Sequence, residues 1–267
     1  MSILQGLWLS LIQSFTEFLP ISSSGHLLFF KAIFHHEDIP LISDIVMHLG
    51  SLVAVVIYFR SEIRRTFKNA VPEIRDRQPD KPNSKFILYV LISTVVTFIG
   101  YLLFQDPIEA QFETPHVLRI TYLLTTLILL STVLNRNRQN QSIARKNIFF
   151  AVLIGLVQTL AILPGVSRSG MTISVMLMLR TDRSEAAYYS FMLFIPAALG
   201  AFFFGLSDID NFLFLRTQWI PLLISFLSTI ILSTLFLWLL TWIVRKGRLY
   251  LFSVYTLGMA VLSWILF

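Results

Sequence analysis

The chain has 267 residues, 55% of them hydrophobic and 13% charged, where a soluble domain carries about 25% charged residues. That composition excludes a water-soluble globule, a disordered chain and a collagen, and makes a lipid bilayer the solvent. The absence of cysteine excludes a structural disulfide, a thiolate metal site and a thiol nucleophile.

The net charge of +6 is explained by position. Of the 21 Lys and Arg, 17 fall in four short stretches, at 60–85, 136–146, 180–183 and 245–248. By the positive-inside rule these stretches are cytoplasmic, so the charge reports orientation and no nucleic acid is expected as a partner. In chain order, residues 3–34 are apolar and interrupted at Pro20-Ile21-Ser22-Ser23-Ser24-Gly25. Spans are expected at about 44–60, 86–104, 117–134, 186–206, 218–244 and 249–267, since crossing a bilayer core takes roughly 20 apolar residues. Residues 147–179 repeat the interrupted pattern, with Pro164-Gly165-Val166-Ser167-Arg168-Ser169-Gly170 at the centre. Segments 104–116 and 207–217 are acidic or neutral, as the outer side requires. Parity then makes each interrupted stretch enter and leave by the same face, because Pro breaks a helix and Gly and Ser favour turns and caps. The reading is an all-α polytopic membrane protein of six transmembrane helices plus two re-entrant helical hairpins, with both termini outside.

At an offset of 145 residues Gln13 matches Gln158, Ser22 matches Ser167, Ser24 matches Ser169 and Gly25 matches Gly170. One integral domain built from inverted halves, about 1–134 and 147–267, follows. Such repeats place broken helices near the midplane, where non-helical backbone must be buried or line a cavity. The N–H groups opening each second half-helix favour an anion there.

The residues at the breaks carry chemistry. A charge at bilayer depth costs about 2.5–3.5 kcal/mol on insertion scales, so Glu17 and Arg168 need a partner or a function. Pairing with each other is one reading; a carboxylate for a cation and a guanidinium fork for phosphate is the other. Gln13, one turn before Glu17, shares its face. Ser22, Ser23 and Ser24 can cap the returning helix and also bind phosphate. His26 is near enough to serve as base or nucleophile. Asp44 and His48 lie one turn apart and either line the same cavity or stabilise a helix end. The run His35-His36-Glu37-Asp38 reads as a solvated loop. Together these groups suit phosphoryl transfer.

Gln13-Ser-Phe-Thr-Glu17-Phe-Leu-Pro20-Ile-Ser22-Ser23-Ser24-Gly25-His26 resembles the first signature of the bacterial undecaprenyl-diphosphatase family, of the bacitracin-resistance type. Pro164-Gly165-Val-Ser167-Arg168-Ser169-Gly170-Met-Thr172 resembles its second. The resemblance covers essentially the whole chain. It implies a multi-pass enzyme of the bacterial inner membrane that cleaves the terminal phosphate from undecaprenyl diphosphate, recycling the lipid carrier for wall synthesis. A site open to the outer side and a divalent cation, Mg2+ or Ca2+, are implied with it. Glu17 matches the second acid of a Glu/Gln-x-x-x-Glu motif and Gln13 its first position, the two expected at the metal. Ser23 and His26 match the nucleophile and base, with a phosphohistidine at His26 as the alternative. Arg168 matches the phosphate-binding arginine, and Ser22, Ser24, Gly25, Ser167, Ser169, Gly170 and Thr172 complete the expected phosphate cradle. Membrane lipid is a further partner, and a homodimer is compatible with this reading. The competing function is a transporter or flippase of a lipid phosphate or other anion, alone or beside the phosphatase.

Overall fold

The structure, a computed structural model, describes residues 2–34, 41–111, 114–135, 141–205 and 214–267. The His35-to-Asp38 run and most of the 207–217 segment lie outside them. Among the described residues the elements are α-helical or short 3-10 turns with no β-strand.

The chain opens with α1 (Ile3–Phe18), started by a capping box in which Ser2 Oγ accepts from Gln5 N at 3.2 Å and Gln5 Oε1 accepts from Ser2 N at 2.7 Å. Then come α2 (Ser23–Phe34), α3 (Leu41–Tyr58), α4 (Arg60–Arg75), α5 (Pro82–Leu103) and α6 (Gln105–Gln111). The chain continues through α7 (Leu118–Ser131), α8 (Ile148–Leu160), α9 (Arg168–Met178), α10 (Arg183–Gly205), α11 (Trp219–Arg245) and α12 (Phe252–Leu266).

Each of the six expected spans coincides with one of these helices: α3, α5, α7, α10, α11 and α12. Five are long and apolar enough to cross a membrane, α7 and α12 together with their flanking turns, and a sixth is counted when α3 and α4, bent by 68° at Phe59, are taken together. The sequence expectation left 60–85 as a basic connection, whereas the structure forms α4 there. Its periodicity was masked by charge, which lowers mean hydropathy without disturbing the 3.6-residue repeat. The helices of the two interrupted stretches, α1 with α2 and α8 with α9, have 16, 12, 13 and 11 residues. At 1.5 Å per residue each is shorter than a core of about 30 Å.

Between apolar helices the hydrophobic effect gives little drive in lipid, so small residues and hydroxyls make the contacts. Ser10 Oγ donates to the Ser225 carbonyl of α11 at 2.9 Å, and Gly50 of α3 comes against Thr229. In the same way Ser93 and Thr97 of α5 donate to the Ala151 and Gly155 carbonyls of α8 at 2.7 and 3.0 Å. Thr126 of α7 meets Thr256 of α12 at 2.8 Å. The main apolar core gathers Phe18 at the end of α1, Phe59 just after α3, and Tyr189, Phe191 and Leu193 within α10.

At the α4–α5 corner, Glu73 accepts from Asn83 N (3.1 Å), Asn83 Nδ2 (2.8 Å) and Ser84 N (2.7 Å), satisfying donors that the start of α5 cannot bond internally. Desolvation opposes ionisation, but these donors prevail and hold the carboxyl below its ordinary value. A depressed carboxyl contributes stability that is complete above its unfolded pKa and is lost as pH falls through the lowered folded one. Glu73→Ala is therefore expected to cost about 1 kcal/mol at neutral pH, as loss of a cap does. The gap to the native chain should close in acid, which thermal unfolding in detergent at the two pH values will show.

Candidate active site

The site forms where the two interruptions meet. After α1 the backbone turns tightly, with Ile21 N on the Leu19 carbonyl at 2.7 Å, and Ser22 takes a left-handed φ of 69°. A non-glycine residue holds that conformation only where neighbouring bonds fix it. Here Ser22 Oγ accepts from Gly25 N at 3.2 Å, and the Ser22 carbonyl accepts from His26 N at 3.2 Å and from the His26 ring at 2.7 Å. The second interruption turns at Gly165, with φ 88°, a region open to glycine. Thr125 of α7 fixes it by donating to the Gly165 carbonyl at 2.9 Å and accepting from Ser167 N at 3.1 Å. Ser167 then caps α9 by accepting from Gly170 N at 3.1 Å. Ser22 and Ser167 thus do the same work at the two breaks.

Contact between the breaks is direct. A Cβ on Gly25 would sit 2.6 Å from Gly165 Cα and 2.8 Å from the Tyr122 hydroxyl, and one on Gly170 would come 3.2 Å from Pro20 Cβ. Ser169 Oγ reaches the Phe18 carbonyl at 3.3 Å, closing the end of α1. Gly25→Ala is expected to force backbone from backbone, costing about 1–3 kcal/mol as overpacking does. Because the displaced atoms carry Ser23 and Arg168, activity should fall by more than the loss of folded protein explains, which turnover per folded molecule will test.

Four helices converge on one carboxylate. Glu17 Oε1 accepts from Arg168 Nη2 at 2.5 Å, and Glu17 Oε2 accepts from Ser23 Oγ at 2.5 Å and Gln13 Nε2 at 3.2 Å. His48 Nε2 of α3 lies 3.2 Å from the same Oε2. The His48 ring is oriented by its Nδ1, 2.8 Å from the Asp44 carbonyl. Arg168 stacks over Phe194 of α10, 4.0 Å from the ring centroid, a cation–π contact suited to a guanidinium out of water. The ion pair and the catalytic reading of Glu17 and Arg168 are therefore compatible. Two buried polar atoms of the cluster keep unused capacity, Arg168 Nη1 as donor and Gln13 Oε1 as acceptor.

His26 is placed differently from the expectation. Its Nδ1 bonds the Ser22 carbonyl, which can only accept, so the proton sits on Nδ1, and Nε2 accepts from the Tyr255 hydroxyl at 2.7 Å. The ring stacks on Tyr255 of α12 at 5.7 Å and 11°, and the Tyr122 hydroxyl lies 3.1 Å from Nδ1. Both ring nitrogens are thus engaged away from Ser23, whose hydroxyl goes to Glu17. Thr172 is likewise turned aside, with its hydroxyl on the Arg168 carbonyl at 2.8 Å and Ser190 of α10 at 2.7 Å. Ser24 lies 3.4 Å from Ser22 and Ser169 3.4 Å from Ser167, each at the first turn of its helix. Gln158, the repeat partner of Gln13, bonds Thr97 instead of the cluster.

The donors offered to a divalent cation are few. Among the described residues no three His, Asp or Glu side chains gather as a ligand set. Both oxygens of Glu17 are engaged, one of them by a guanidinium, which leaves Gln13 Oε1 as a single neutral donor. These side chains build no all-protein cage of the kind Ca2+ takes, whereas Mg2+, commonly held by one or two carboxylates with water and substrate phosphates completing its shell, would be held by Glu17 and Gln13.

Sequence reasoning did not foresee Tyr122, Tyr255, Thr125 or Phe194, and left His48 undecided. Tyr255 lies 229 residues from His26, and no local spacing signals such a contact.

Known proteins resemble this chain over nearly its whole length. Residues 6–262 match the family described as bacitracin resistance protein BacA. An undecaprenyl-diphosphatase of Carboxydothermus hydrogenoformans is 36% identical over 98% of this chain and 97% of its own. Undecaprenyl-diphosphatase 1 of Shouchella clausii is 33% identical over 99% and 96%, and the Treponema denticola undecaprenyl-diphosphatase 32% over 99% and 98%. With the match running through both interruptions and the cluster between them, the chain belongs to the bacitracin resistance protein BacA family.

Proposed function

We infer that the protein is a membrane-embedded hydrolase that converts undecaprenyl diphosphate to undecaprenyl phosphate and inorganic phosphate, returning the lipid carrier to wall synthesis. The observation that carries this reading is the Ser23–Glu17–Arg168 cluster. It places a hydroxyl on a carboxylate at 2.5 Å beside a guanidinium with a donor to spare.

Arg168 Nη1, with the N–H groups that open α2 and α9 ahead of the capped Gly25 and Gly170, holds the terminal phosphate of the substrate, since both helix ends present positive dipole. Ser23 Oγ attacks the terminal phosphorus as its proton passes to Glu17. The bond from that phosphorus to the bridging oxygen breaks, and undecaprenyl phosphate leaves. Water then cleaves the phosphoserine and a proton returns to Ser23. Positioning and charge stabilisation supply most of the acceleration in such a transfer. His48 and Gln13 orient the carboxylate, and His26, braced by Tyr255 and Tyr122, fixes the turn that presents Ser23.

The inverted repeat belongs to the same proposal. It is supported by the reciprocal packing of α1 on α11 and α8 on α5, and by the short helix pairs meeting at Gly25 and Gly165. With the basic stretches inside, both termini and the mouth of the site face outward. A divalent cation, expected from the resemblance, has no resident cage here and enters no step above.

The test is release of phosphate from undecaprenyl diphosphate by the purified chain in detergent, where there are no two compartments. Turnover supports the hydrolase; binding without turnover would leave the transporter reading in its place. The same assay with a chelator determines whether a cation is required.

A further inference from the structure

The geometry points to a second lipid contact, remote from the cluster: we propose that α4 lies in the membrane interface on the basic side of the protein and binds anionic phospholipid headgroups there. At Phe59 the chain turns by 68° out of the line of α3, so a helix continuing from a membrane span is redirected sideways. Helix α4 then divides its surface into three parts. Thr66 and Ala70 are buried and Ile63 packs on the core, which fixes the rotation of the helix. Next to that face runs a stripe of Phe67, Val71 and Ile74, spaced one helical turn apart and 55%, 65% and 58% exposed. Beyond it stand Arg64, Lys68 and Arg75, all exposed and with no carboxylate partner among the described residues.

The acids of α4 are elsewhere. Glu62 accepts from the Ser61 hydroxyl at 2.6 Å, and Glu73 is taken by the start of α5. On a helical wheel both lie on the side opposite the apolar stripe. A helix with exposed apolar residues on one flank and unpaired cations beside them sits in the headgroup region, its apolar side chains in the acyl boundary and its cations reaching up to phosphate. Charge complementarity selects the occupant, because a row of cations beside a buried stripe gains from anionic lipid and gains little from a neutral one.

The chain has no cysteine, so Val71→Cys and Asn69→Cys variants of the full chain each take one nitroxide label, on the stripe and on the far polar face. The measurement is collision of each label with dissolved oxygen and with a water-soluble nickel chelate, in nanodiscs of phosphatidylcholine with and without phosphatidylglycerol. The label at 71 is expected to show a several-fold higher oxygen-to-nickel ratio than the label at 69, and a further rise when phosphatidylglycerol is present. Replacing Arg64, Lys68 and Arg75 together with Gln should abolish that further rise. Nickel access at 71 equal to that at 69 in both lipids would overturn the interfacial placement. An unchanged ratio on adding phosphatidylglycerol, or a rise that survives the triple variant, would overturn the anionic headgroup as occupant. Spin–spin broadening between labels at 71 would assign the stripe to a second copy of the chain and sink the proposal.

Discussion

Ser23→Ala is expected to lower phosphate release by at least about 10⁴-fold, the scale on which loss of a covalent nucleophile acts, while leaving the fold and the Glu17–Arg168 pair in place. The side chain removed is small, and its recorded hydrogen bond goes to Glu17 Oε2, which Gln13 and His48 still reach. His26→Ala makes the contrast. That change takes the ring from the Ser22 carbonyl, which keeps only the backbone N–H of residue 26, and from the Tyr255 hydroxyl, loosening a turn whose φ of 69° depends on being held. Its expected cost is an activity loss nearer tenfold, accompanied by a lower unfolding temperature. Steady-state kinetics on both variants, normalised to folded protein, separates the two roles. Equal and complete loss in both, with stability unchanged, would assign His26 a part in the chemistry that the geometry does not give it.

The second large effect is expected at Arg168. Removing one preorganised donor from a site of charge development costs about 10²–10³-fold in kcat. Arg168→Ala removes the whole fork, so about 10³-fold or more is expected. It also strips Glu17 of its closest cation, and breaking a buried pair costs about 3–5 kcal/mol, so this variant alone confuses chemistry with folding. Arg168→Lys resolves them. Lysine keeps the charge and can satisfy Glu17, yet a single ammonium cannot bond Glu17 in the plane of a fork and still offer a second directed donor to phosphate. Near-native unfolding temperature with kcat down about 10²-fold is the expected pattern; near-native kcat in the lysine variant would show that Arg168 is a structural partner of Glu17 only.

Much of this arrangement was legible in the sequence because the physics is local. Pro20 and Pro164 stand beside Gly and Ser at the breaks, and the Ser-x-Ser-Gly pattern after each marks a cap before any contact is known. The positions of Glu17 and Arg168 followed from the cost of charge in lipid, and their pairing with each other was one of the two readings that cost allowed. The unread part depends on which faces meet. Glu17 meets His48 because α3 packs beside α1 in one rotation, which no local spacing specifies. Tyr122 and Tyr255 meet His26 because α7 and α12 close on α2, a contact across the fold. The direction of the His26 ring depends in turn on them, which is why the sequence put it beside Ser23 and the structure does not. Helix α4 was missed for the opposite reason. Its signal is local, with Phe67, Val71 and Ile74 at helical spacing, but a search for apolar runs passes over a helix whose mean hydropathy its cations have lowered.

The covalent step at Ser23 is the centre of the account, and it is tested most directly by trapping the enzyme in a single turnover. Purified chain mixed with undecaprenyl diphosphate labelled in its terminal phosphate and quenched in acid should carry the label as phosphoserine at Ser23, stable to acid and lost in the Ser23→Ala variant. Label that is acid-labile and stable in base, or that maps to His26, would contradict it.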